Sequence, residues 1–174
     1  MKENNNIFWN VAFSFGILYA ILGMVFMLIN DPMAGKDNIT NQIIGFIALF
    51  VFIFITTAAV WYYRGKGQTI TLGTAIKLGL AIGLIGGSLL AVYTYFYFKY
   101  INPEAIDFIM EKARETLENN EQLTEEMVEK QMEMVQKITF PSQIIAQIFV
   151  GVFYGLIGGV LGGLVFKTKV EDYY

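Results

Sequence analysis

Apolar and polar positions are sorted along this chain into long blocks rather than into the short stripes of a water-soluble fold. Four runs, 7–29, 42–63, 71–98 and 142–166, are almost wholly apolar. Each is about the ~20 residues that a helix needs to cross a hydrocarbon core of ~30 Å. Backbone placed in such a medium must satisfy its own hydrogen bonds, so each run predicts a helix. The stretch 102–140 is different: polar and acidic, with Ile106, Met110, Ala113 and Leu117, then Val128, Met132, Val135 and Ile138, at helical spacing. Asn102 with Pro103, and later Thr124, are helix starts, and Asn119 and Asn120 interrupt the stripe between them. The pattern predicts an all-α, polytopic membrane protein with four transmembrane helices and an extracytoplasmic helical hairpin between spans three and four. A polar loop around Asp31, Pro32 and Gly35 joins the first two spans, and Pro141 reads as the point where the chain restarts for the last one.

Within the apolar runs the small residues are ordered. Gly151, Gly155, Gly159 and Gly163 recur every fourth residue, with Gly158 and Gly162 beside them. Ala75, Gly79, Gly83, Gly87 and Ala91 do the same in span three, and Ala12, Gly16 and Ala20 in span one. In water such helices would be poor, since each interior Gly costs roughly 1 kcal/mol against Ala. In lipid a bare stripe lets another helix approach closely, and packing replaces the hydrophobic drive. The word GLIGG occurs at 83–87 and at 155–159, from internal duplication or from shared packing chemistry. Gln143 and Gln147 continue the last row outward, where an amide is expected to hydrogen-bond a neighbouring helix for about 1 kcal/mol.

Composition narrows the chemistry. There is no Cys and no His, which removes disulfides, thiol catalysis, imidazole bases and zinc sites that need nitrogen or sulfur ligands. No HExxH, GxSxG or Walker loop is present, and the glycines lie within helices rather than at a turn after a strand. The expectation is a protein that is not an enzyme, with no cofactor and no nucleic-acid partner. Carboxylate pairs such as Glu129 with Glu133 read as ordinary surface acids, because no loop wraps an ion there. Lys77 is the one ionisable residue well inside a span, and it either snorkels to headgroups or serves a coupling role. Aromatic residues crowd the span ends, at Trp61, Tyr62 and Tyr63 and from Tyr93 to Tyr100, as an interfacial belt does; a ring stack for a sugar or lipid headgroup is the alternative.

Arg64, Lys66 and Lys167 lie on the side of the termini with Lys2 and Lys169; Lys36, Lys99 and Lys137 flank the spans on the other. Bases near span ends favour the cytoplasm, so both termini are expected there and the acidic hairpin in the periplasm of a bacterial inner membrane.

The stretch WYYRGKGQTITLGTAIKLGL, 61–80, resembles a family of small membrane proteins of Bacteroidetes catalogued as domain of unknown function 4199. The shared features fall on Tyr62, Arg64, Lys66, Gly67, Ile70, Gly73, Ala75 and Lys77, and the acidic insert followed by Pro141 and a last span is also similar. The resemblance implies a four-span inner-membrane protein and brings no activity or catalytic residue. The expected function is a structural or accessory subunit of a membrane assembly, with lipid and other membrane helices as partners. Its basis is that the glycine rows of spans three and four exceed what one pair contact needs, and that the acidic hairpin is a protruding contact surface. A small homo-oligomeric transporter or channel is the alternative.

Overall fold

The computed structural model describes residues 5–30, 38–120 and 122–168. The loop expected around Asp31, Pro32 and Gly35 and the tail from Lys169 lie outside them. Among the described residues the chain is helical throughout: α1 (Asn5–Ile29), α2 (Asn38–Gly65), α3 (Leu72–Phe96), α4 (Glu104–Glu118) and α5 (Glu125–Phe166). A π-helical turn, Tyr97–Ile101, prolongs α3. Four of these helices are long and apolar enough to cross a membrane.

The central pair is α3 and α5, which run antiparallel and share the most extensive contact in the molecule. Helix α1 lies parallel to α3, and α2 lies parallel to α5. Gly16 and Gly23 of α1 receive Ile85 and Leu90 of α3, and Gly158 and Gly162 of α5 receive Thr56 and Val60 of α2. Among the described residues the backbones of α1 and α5 stay apart; the space between them is filled by rings, with Tyr19 stacked on Phe52 at 4.2 Å and Phe52 facing Tyr154 at 6.1 Å. The helix contacts differ from those of a soluble core. Gly, Ala and Thr face inward, while Phe46, Phe50, Phe54, Phe149 and Val165 face out at 64–72% exposure. That surface suits lipid, where large apolar side chains need no burial against protein.

One difference from the sequence expectation concerns Pro141. It does not restart the chain: α5 is a single 42-residue helix with Pro141 inside it, roughly 63 Å long at 1.5 Å per residue. Proline removes one backbone donor and crowds the carbonyl of residue 137. Local hydroxyls bond other carbonyls on either side of it, Thr139 Oγ1 to Val135 O at 2.7 Å and Ser142 Oγ to Thr139 O at 2.9 Å. Such hydroxyl-to-carbonyl bonds tend to bend a helix slightly, and neither reaches the residue 137 carbonyl. The second arm of the hairpin and the fourth apolar run are therefore one rod.

Tyr95 of α3 meets Phe140 of α5, so the first 15 or so residues of α5 extend past the end of α3 by about 20 Å. Helix α4 runs back along this extension and covers Val128 and Met132, and Arg114 reaches Glu129 at 3.2 Å. Thr124 caps α5 by accepting from the Met127 N–H. Asn102 does not repeat that role for α4, which starts without a side-chain cap; its amide donates to the Tyr97 hydroxyl instead.

At the other end the α2–α3 turn is closed by Gly67, whose φ of 75° places it in the left-handed region that favours glycine. Its N–H bonds Arg64 O. Thr168, just past α5, clasps this turn twice: its N–H donates to Ile70 O at 2.9 Å, and its hydroxyl accepts from the Ile70 N–H at 3.0 Å.

Candidate functional site

The glycine rows meet each other. Across the α3–α5 contact Ala75 lies opposite Gly159, Gly79 opposite Gly155, Gly83 opposite Gly151 and Gly87 opposite Gln147. A methyl group on Gly79 or Gly155 would run into the other's carbonyl oxygen, and one on Gly87 would sit 2.7 Å from Gln147 O. Gly163 ends the row against Ala75 and Leu72. The two GLIGG words do the same job twice. In each, the first and last glycines face the other central helix, while the fourth, Gly86 or Gly158, takes a side chain from an outer helix: Tyr19 from α1 or Thr56 from α2. Thr57 Oγ1 also donates to Gly158 O at 3.2 Å. The rows are thus occupied within one protomer, which removes the glycine surplus as a ground for the assembly expectation and leaves the acidic hairpin.

Past Gly151 toward the arm the packing changes. No side chain of α5 between Thr139 and Gly151 is fully buried, and a methyl on Gly45 of α2 would meet nothing within 4 Å. Here α1, α2, α5 and the base of α4 leave a cavity of about 270 Å³. Phe26, Phe52 and Leu90 give it apolar walls, and Gln143, Gln147 and Asn30 bring polar groups to it. Gln143 and Gln147 are half-buried. Among the described residues neither amide has a hydrogen-bond partner, contrary to the helix-to-helix bond expected of them. The reason is positional: past Gln147 the small-residue row ends and α2 no longer closes on α5. It is a half-open, mostly apolar cleft with a few convergent polar groups, somewhat smaller than the usual small-molecule site.

The aromatic end of α3 also divides. Phe96 and Tyr100 face outward, as a belt requires, whereas Tyr97 and Phe98 are buried and pack with Ala105 and Met27 beneath the arm. The π-turn sets this division, since a wider turn rotates successive side chains differently from an α-helix. Tyr97 and Phe98 line the cavity as well. Their role there was hidden in the sequence by the run of aromatics; Gly45, a lone glycine off any small-residue row, was a visible signal.

Lys77 is exposed on α3, five residues after its first, and joins no cavity described here. In the arm Glu129 pairs with Arg114 and Glu133 with Lys137 at 2.7 Å. A hydrogen bond to Glu115, with that carboxylate's charge, holds the Lys112 ammonium above the usual lysine range. Among the described residues no group of three or more acids converges on a metal-sized site.

No curated protein and no solved structure matches the chain. A family model described as protein of unknown function (DUF4199) matches residues 5–168. The chain, with its four apolar helices and its acidic arm, belongs to that family.

Proposed function

We propose that this is a non-enzymatic integral protein of a bacterial inner membrane that acts by contact, as an accessory subunit of a membrane assembly. Its termini and the Lys66 turn lie in the cytoplasm, on the positive-inside rule, and its arm lies in the periplasm. The observation that carries the reading is the arm itself. Because α5 is one helix from Glu125 to Phe166, the arm is rigidly joined to the glycine-packed bundle. On its outer face Met127, Met134 and Ile138 are 47–60% exposed and share one side of the helix. An apolar stripe in water on a fixed lever is a contact surface looking for a partner. The acid beside it, Glu126, favours a partner helix with apolar knobs and a basic flank, while Glu133 is already held by Lys137.

The test is purification of the tagged, full-length protein from its native membrane in mild detergent, beside the Met134→Glu, Ile138→Glu variant. Wild type is expected to retain a stoichiometric membrane partner and the variant to lose it, with unfolding of the subunit itself unchanged. Wild type recovered alone, or equal retention by the variant, overturns the reading.

The cavity favours a second reading, a small homo-oligomeric transporter or channel, because unpartnered amides at Gln143 and Gln147 are groups a permeant molecule can use. Flux into liposomes that depends on these two residues, from protein free of any partner, would move this reading to first place.

A further inference from the structure

Polar side chains on the outer face of a membrane helix are costly unless something meets them. On α1, Trp9, Phe13 and Ile17 face outward, as lipid contact requires. Between them Asn10 and Ser14, one turn apart, are exposed too. Among the described residues neither side chain makes a hydrogen bond. Both edge a groove of about 460 Å³ between α1 and the end of α2. Ile7, Val11 and Phe15 make its apolar floor, and Tyr62 and Lys66 form its far wall.

The Lys66 ammonium lies 4.9 Å from the centre of the Tyr62 ring, and among the described residues no carboxylate lines the groove. Its turn is held by the Gly67 cap and by the Thr168 clasp on Ile70, so the charge is presented from fixed backbone. An ammonium, an amide and two hydroxyls above an apolar floor match a phosphodiester with an acyl chain below it. Among the described residues none in the groove would pair with the amine of a zwitterionic headgroup.

We propose that this groove binds an anionic phospholipid, with its phosphate at Lys66 and Asn10 and an acyl chain along Ile7, Val11 and Phe15. The site rests on the membrane reading but on neither the arm nor the cavity. Membrane insertion is checked separately, by resistance of the protein to alkaline extraction from membranes.

Native mass spectrometry of the full-length protein, released from detergent with phosphatidylglycerol or phosphatidylethanolamine of matched chains, tests the site. Phosphatidylglycerol adducts are expected to survive preferentially, and to fall about fivefold in Lys66→Gln, the loss expected for one lysine at a lipid phosphate. Asn10→Leu with Ser14→Ala should reduce them as well, while Lys112→Gln on the arm leaves them unchanged. Equal retention of the two lipids, or equal behaviour of the Lys66 and Lys112 variants, overturns the proposal. Displacement by excess inorganic phosphate also overturns it, by assigning the groove to a free anion.

Discussion

The two halves of the bundle are made from the same helices and are packed in opposite ways. In the half near Lys66, α3 and α5 touch through backbone, and side chains of α1 and α2 drop into the remaining glycine gaps. In the half near the arm, α2 stands away, Gly45 faces open space and two amides look into a cavity. Close packing depends on a continuous row of small residues on both partners. Where the α5 row passes from Gly151 to Gln147, that continuity stops, and so does the seal. The closed half holds the central pair together through backbone; the open half leaves a cavity between the helices.

The largest effect should come from making one substitution in both halves. Gly79→Ala puts a methyl into the Gly155 carbonyl, with backbone on both sides that cannot move aside. It should destabilise the bundle by about 1–3 kcal/mol or more, as overpacking does. Gly45→Ala meets nothing and should be neutral or stabilising by up to ~1 kcal/mol through helix propensity. Unfolding of the purified variants in mixed micelles measures both, and equal effects would erase the contrast between the halves.

A smaller effect is expected at the amides. Since Gln143 and Gln147 lack hydrogen-bond partners in the bundle, replacing both by Leu should leave stability within about 1 kcal/mol of wild type. A larger loss in the same unfolding assay would mean that the amides hold the open half together.

The smallest effect lies in the arm. Arg114→Ala removes the link from α4 to Glu129, an exposed pair worth about 1 kcal/mol or less and weakened by salt. Proteolysis of the arm at low and high salt would show this, with the difference between wild type and variant vanishing at high salt.

Much of this was legible in the residues. The apolar runs announced four long helices because a bilayer-length stretch without charges has few other uses, and Thr124 announced the start of α5 because its hydroxyl takes a free backbone N–H. Pro141 misled for a good local reason: proline usually ends or kinks a helix, and whether the chain continues through it depends on the packing around it. The cavity was not legible, since Asn30, Gly45, Gln143 and Tyr97 come from four separate segments and share nothing in sequence.

What the sequence by itself determined was the number of apolar helical spans, their apolar character and the faces bare enough for close approach. Those follow from composition and from the 3.6-residue period, which are properties of each segment alone. Only the tertiary structure decided what fills the bare faces. A glycine row states that side chains are missing, not whose backbone comes to it, and that choice depends on all the helices together. Here α3 and α5 chose each other and α1 and α2 took what was left, so rows that suggested assembly between molecules are spent within one, and the surfaces left for others are the arm, the cavity and the Lys66 groove.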